Sequence, residues 1–257
     1  MVQLINYLFI FFFFFFSLLK DTKRELASYR FKKNQNTLHA SIINDLELVK
    51  KNFLQKNKIK NISSNQKNYL IKLIKNLANQ SIFDIPKEVY QIYLIQDKSP
   101  YILMFPKGDL IISNTFLDKI SSEGELAAAL SFELIRKLST SYRVVEVNLD
   151  NDFNTKEIMS LFKIDNEKRM EIHKWATDIY QKKGYDINEY LNWIQTLNSN
   201  YDLFNGVLNS QKDLEKEESA LKKFLLSEYG NNIFSISRDS LGDKNFYYWK
   251  DQLQLWK

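Results

Sequence analysis

Apolar residues recur at spacings of three and four along most of the chain, which is the pattern of helices that bury one face. The longest run predicts a helix over residues 36–60, and the same spacing predicts helices over residues 69–77, 117–120, 166–183, 187–197 and 214–229. Ser122 and Glu125 have the spacing of a capping box, which predicts a helix that begins there and continues to Leu138. Gly184 is the expected stop of the helix before it. Helix is therefore the main predicted element.

The periodicity changes to two in the region that holds all three prolines of the chain. Alternating residues predict strands over residues 89–95, 101–105 and 109–113. Lys107, Gly108 and Asp109 suit a tight turn between the last two of these strands. The pattern predicts an α+β fold that is mostly helical, with a small antiparallel sheet or hairpin.

The N-terminus has a different character. Residues 4–19 are nearly all apolar, with six consecutive phenylalanines at 11–16, and six basic residues lie within residues 20–33. A membrane span takes about 20 apolar residues and the core of a signal peptide is shorter, so this length fits either. Residues 1–20 are therefore interpreted as a signal peptide or membrane anchor. The sequence predicts a protein anchored in a membrane or exported to the cell envelope, and its orientation stays open.

Composition removes several kinds of chemistry. The chain has no cysteine and two histidines, so thiol catalysis, disulfides and thiolate metal sites are excluded. The net charge is +5, but the basic residues are spread among 31 acidic ones. Nucleic-acid binding requires a concentrated basic face, and we expect no nucleic-acid partner.

Two segments carry a family resemblance. Residues 105–117 begin Phe-Pro-Lys-Gly-Asp-Leu-Ile-Ile and end Phe-Leu, and residues 123–130 read Glu-Gly-Glu-Leu-Ala-Ala-Ala-Leu. They resemble the hairpin and active-site helix of the HtpX, BepA and CaaX prenyl protease group of zinc metallopeptidases. Gly184-Tyr185-Asp186 is similar to the end of that family's later ligand helix. The resemblance covers residues 85–200 and implies a minimal gluzincin-like metallopeptidase domain.

The resemblance also assigns the positions of a zinc site. Phe132 and Arg136 stand where the family has two histidines at i and i+4, and Glu133 stands at the general-base position. Counting back from Gly184 puts Arg169 at the third ligand, with Glu171 as a nearby retained acid. Phenylalanine has no lone pair and arginine stays cationic, so this chain cannot build the family's zinc site. We expect no cofactor, because the zinc of the family lacks its ligands here.

Three interpretations of these residues stay open. His39 and His173 could join Glu133 and Glu171 in an altered metal site, which would make the protein an atypical metalloendopeptidase. Glu133 could instead form an ion pair with Arg136 three residues on. A sharper hypothesis is that one or both of Arg136 and Arg169 replace the metal charge and pair with Glu133 and Glu171, since carboxylates in an apolar cleft require a counter-charge.

The leading functional hypothesis is a proteolytically inactive pseudopeptidase that binds or chaperones a polypeptide or envelope protein. In the family an edge strand takes an extended polypeptide, and strand addition requires no metal. The candidate edge comprises Asp109, Leu110, Ile111, Ile112 and Ser113. An unrelated helical, membrane-anchored interaction protein is the remaining alternative. The domain prediction is a helical part at 21–80, the metallopeptidase-like core at 81–200 and a helical extension with an aromatic tail at 201–257.

Overall fold

The computed structural model describes residues 40–80, 91–139, 155–201, 210–230 and 241–253. The helices are α1 (Ala40–Lys56), α2 (Ser64–Ala78), α3 (Asn114–Lys119), α4 (Glu123–Leu138), α5 (Thr155–Leu161), α6 (Asn166–Lys182), α7 (Ile187–Ser199), α8 (Gln211–Tyr229) and α9 (Leu241–Leu253). The strands are β1 (Ile59–Lys60), β2 (Ile92–Ile95), β3 (Ile102–Met104) and β4 (Leu110–Ser113). The predicted α+β class, mostly helical, is confirmed.

The four strands form a mixed sheet in the order β1-β2-β4-β3. The hairpin of β3 and β4 is antiparallel, with Leu103 opposite Ile111, and β1 is antiparallel to β2. Strand β2 runs parallel to β4, with Ile92 opposite Leu110. The expectation of an antiparallel sheet is therefore wrong for this central pair, because the chain crosses over to place β2 beside β4.

Strand β4 lies inside the sheet, between β2 and β3. Its backbone groups are bonded on both sides, so Leu110, Ile111, Ile112 and Ser113 offer no edge to another chain. Asp109 is also buried, in an ion pair with Lys50 of α1. The prediction that residues 109–113 form a peptide-binding edge is wrong. The two edges of the sheet are β1 and β3.

Local sequence explains where the elements begin and end. Gly108 has a φ of 98°, which glycine adopts without strain, and it closes the predicted turn before β4. Gly184, with φ of 93°, follows the end of α6 as predicted. Most helices start at a side-chain cap that accepts a backbone N–H: Ser63, Ser113, Ser122, Asp165, Asp186 and Ser210.

Helix α4 is the centre of the molecule. Nearly all of its residues are buried, and it packs against α6, α7, α2 and the edge strand β3. Three consecutive alanines, at 127–129, lie in this buried stretch and keep neighbouring backbones close. Helix α8 packs on α6 and α7, and α9 contacts α4.

The C-terminal helices belong to the same core. Residues 39–257 group into one unit, which includes the extension predicted at 201–257. In α9, Trp249 stacks on Tyr69 at 4.9 Å between ring centroids and donates a hydrogen bond to the Gln66 carbonyl. The aromatic tail thus packs back on α2 as far as Leu253. At the other end, Ile59 and Lys60 form strand β1 and not the last turn of the predicted first helix.

None of the helices within the described ranges combines the length and apolarity that crossing a membrane requires. The apolar residues 4–19 and the predicted signal peptide or anchor lie outside those ranges.

Candidate functional site

The positions that the resemblance assigns to a zinc site do meet in one place. Phe132, Glu133 and Arg136 of α4 and Arg169 of α6 line one cleft beside the edge strand β3. Residues 100–103 form the strand side of this cleft, and Phe116, Phe162, Trp193 and Leu197 complete the wall. The cleft is open to one side and has a volume of about 50 Å³, which holds a few water molecules or one small chemical group.

Glu133 and Arg136 form a buried ion pair one helical turn apart. Arg136 donates from Nε to Oε1 of Glu133 at 2.8 Å and from Nη2 to Oε2 at 2.5 Å. The guanidinium lies over the ring of Phe162, 4.6 Å from its centroid. Arg136 is only 2% exposed, so water does not solvate the pair. Each charge is therefore stabilised mainly by the other.

The same pair binds the backbone of strand β3. The Met104 N–H donates to Oε2 of Glu133 at 2.7 Å, and the Met104 carbonyl accepts from Nη2 of Arg136 at 2.8 Å. Residues 101, 103 and 105 direct their backbone groups to β4, so Met104 faces the outer edge. Glu133, which the resemblance places at the general-base position, therefore bonds the outer side of the edge strand β3.

Phe132, which the resemblance places at the first ligand position, belongs to an aromatic cluster. Its ring lies 4.7 Å from the ring of His173 and 5.6 Å from that of Trp193, between centroids. The Arg169 guanidinium lies over its face at 5.3 Å, a cation–π contact. This position is packed with rings and offers no electron pair to a metal.

Arg169 belongs to a second buried network. Its Nε donates to Glu217 of α8 at 2.8 Å, and Nε2 of His173 lies 2.6 Å from the other Glu217 oxygen. Nδ1 of His173 lies 3.0 Å from the Tyr190 hydroxyl. If neutral His173 carries its proton on Nε2, every hydrogen bond in this network has one donor and one acceptor.

Electrostatics favour that protonation state. Burial alone would raise the pKa of the Glu217 carboxyl, but the charge of Arg169 and the hydrogen bond from His173 lower it to about 2. Burial also lowers the pKa of His173 below its usual 6.5, despite the opposing effect of Glu217. At neutral pH the network therefore contains a carboxylate, a neutral imidazole and the Arg169 cation.

The structure decides between the sequence-based interpretations. The ion pair of Glu133 and Arg136 is confirmed. The pairing of Arg169 with Glu171 is wrong, because Arg169 pairs with Glu217 while Glu171 bonds Lys168 on the outer face of α6. Glu171 is 46% exposed at its side chain and takes no part in the cleft. His173 is a satisfied core residue, and His39 lies outside the described residues.

Sequence reasoning missed Glu217, Tyr190 and Trp193. Glu217 sits on a helix with mixed charges, and one acid among many on such a helix gives no signal of burial. Its position in line with Leu214, Leu221 and Leu225, all buried, is the one available hint, since residues three, four and eight apart share a face. Tyr190 and Trp193 lie one turn apart on α7.

The residues at this site do not fit a zinc ion. Within the described ranges, no group of three histidine, cysteine, aspartate or glutamate side chains could hold a metal. At the positions given by the resemblance there are a phenyl ring and two guanidinium groups, and Glu133 already accepts from Arg136 and Met104. A dication here would face two fixed positive charges, so no step of chemistry is assigned to it.

Comparison of the sequence with models of known protein families gave no match, and comparison with curated proteins gave none either.

Proposed function

We propose that this protein is a proteolytically inactive, metallopeptidase-like protein that binds an extended polypeptide at the outer edge of β3. The main observation behind the proposal is the set of hydrogen bonds that Glu133 makes. The residue at the general-base position of the resemblance is neutralised by Arg136 and bonds the backbone of the edge strand. The apolar segment at residues 4–19 supports a place at the membrane or in the envelope.

Strand β3 lies at an edge of the sheet, and Ile102, at 8%, is the most exposed of its three buried residues. The alternation along β3 directs the N–H and C=O of Ile102 away from β4, and no residue in the described ranges bonds them. Paired backbone groups are the rule in sheets, and an edge residue of this kind bonds either water or an added strand. Ile102 is therefore the backbone contact that we propose for a polypeptide.

The walls of the cleft suit a polypeptide side chain. Pro100, Phe116, Phe162 and Leu197 present apolar surface, and Tyr101 and Trp193 add aromatic surface. Aromatic and aliphatic walls beside an edge strand bind alternate side chains of an added strand, while the backbone bonds hold its direction. The small volume of the cleft permits one such group.

We expect Ile102→Pro to weaken binding of a labelled, random-sequence octapeptide pool to the full-length protein at least about fivefold, because it removes one backbone donor. The pool is prepared with both free-acid and amide C-termini, and binding is measured by fluorescence anisotropy in mild detergent. Proline is tolerated on edge strands where the N–H faces outward, so circular dichroism should show a folded variant.

Ile59→Pro is the matched control. Ile59 lies in β1, on the opposite edge of the same sheet, and its N–H also faces outward, because Lys58 and Lys60 are the residues bonded to β2. It is 40% exposed and far from the cleft in sheet order. Unchanged binding in Ile59→Pro with loss in Ile102→Pro supports the proposal. Equal affinity in both variants and the wild type, or no binding of either peptide pool, rejects it.

A further inference from the structure

The cleft beside β3 contains hydrogen-bond donors that the protein itself does not use. Arg169 is 7% exposed and lines the cleft. Its Nε is bonded to Glu217, while neither Nη1 nor Nη2 makes a hydrogen bond to any described residue. In the cleft these two Nη groups can donate to water or to an acceptor on a bound molecule.

A second residue with an unused donor lies in the same wall. Trp193 is 4% exposed, and its Nε1–H is buried without a hydrogen-bond partner in the described part of the chain. Indole N–H groups usually find a partner when they are buried. Arg169 and Trp193 thus bring unused donors to the wall of a cleft in which the carboxylate of Glu133 already accepts from Arg136 and Met104.

The charged residues around the cleft also indicate which kind of ligand it accepts. Its lining includes two arginines, of which Arg136 pairs with Glu133 of the lining and Arg169 pairs with Glu217 behind it. Glu217 pairs with Arg169 through Nε, and both Nη groups, on the opposite edge of the guanidinium, make no hydrogen bond to a described residue. A guanidinium fork is matched in geometry to the two oxygens of a carboxylate.

The geometry of the edge strand decides which carboxylate fits. A strand that ran along the whole of β3 would have to bond Met104, but Glu133 and Arg136 already occupy the outward groups of that residue. Among the described residues of β3, Ile102 alone has outward backbone groups without a partner, and the cleft has room for one small group. An added chain can therefore pair at Ile102 but has no partner beyond it, which is the situation of a chain end.

We infer that the cleft binds the C-terminal carboxylate of a polypeptide, with Arg169 as its main ligand and Trp193 as an additional donor. This inference rests on the proposed polypeptide binding and specifies which part of the polypeptide is recognised. Ile102 would pair with the backbone of the last residues, and the blocked Met104 position would exclude chains that continue.

The test compares three octapeptide pools on the full-length protein in detergent by fluorescence anisotropy. The pools end in a free carboxylate, in an amide, or in an amide with an aspartate at the last position. A charge-assisted contact predicts that the free acid binds about tenfold or more tightly than the plain amide. Equal binding of acid and amide overturns the inference while leaving the proposed function intact. Equal binding of the free acid and the aspartate pool also overturns it, in favour of a side-chain carboxylate.

Variants assign the preference to residues. Arg169→Gln combined with Glu217→Gln keeps the buried site uncharged, and it should bring the acid and amide affinities within about twofold of each other. Trp193→Phe keeps an aromatic ring and removes the donor together with part of the indole, and it should reduce the preference severalfold. If the double variant does not fold, the Trp193→Phe result decides alone. The control Lys168→Gln removes a neighbouring cation on the outer face of α6, and an equal loss there would contradict the assignment.

Discussion

Replacing Arg136 by methionine is expected to lower the free energy of unfolding by about 3–5 kcal/mol, because it leaves the carboxylate of Glu133 buried without its counter-charge. Methionine keeps much of the volume, so little of the loss comes from a cavity. Glu133 is 5% exposed, and Arg136 supplies two of its hydrogen bonds as well as one to the Met104 carbonyl. Urea unfolding followed by circular dichroism measures the effect.

A second substitution separates charge from packing in this pair. Glu133→Gln with Arg136→Met removes both charges and leaves an amide oxygen that can accept from Met104, so it should lose at least about 1 kcal/mol less than Arg136→Met alone. Lys168→Met breaks the i, i+3 pair with Glu171 on the outer face of α6 and should cost less than about 0.5 kcal/mol. Similar losses in Arg136→Met and Lys168→Met would show that the buried pair has no special importance.

The elements that local sequence specifies were predictable. Ser122 and Glu125 located the start of α4 to within one residue, and Gly184 located the end of α6, because caps and stops depend on neighbours within one turn. The turn at Gly108 followed from its freedom to adopt positive φ. The ion pair of Glu133 and Arg136 could be predicted for the same reason, since residues three apart on a helix are neighbours.

The features that depend on tertiary packing were not predictable. Strand β2 was recognised as a strand, but no spacing in the sequence indicated that it would lie parallel to β4 and convert a predicted edge into an interior strand. Likewise, Glu217 is 48 residues from Arg169, and its selection over Glu171 reflects which helix covers α6. An acid two residues away on the same helix points to a different face from Arg169, so sequence proximity gave the wrong partner.

Acidification is expected to unfold the protein partly through the network of Glu217, and the direction follows from the two pKa shifts. His173 is neutral when folded and has a lowered pKa, so its stabilising effect is complete above about pH 6.5 and is lost as the pH falls below that value. The pKa of Glu217 is lowered from 4.5 to about 2, so its contribution is present above pH 4.5 and is lost between pH 4.5 and about 2. This second loss amounts to roughly 3 kcal/mol.

The charges of the network explain why the loss should be cooperative. Protonating Glu217 weakens its bonds to His173 and Arg169 and leaves the Arg169 cation buried without a counter-charge, because Tyr190 supplies no charge. The free energy of unfolding in urea should therefore fall more steeply from pH 4.5 to 3 in the wild type than in the variant Arg169→Gln with Glu217→Gln, which has neither charge. Other carboxylates titrate in both proteins and cancel in the comparison. Parallel curves for the two proteins over this range would show that the carboxylate of Glu217 is not held in its charged form by Arg169 and His173.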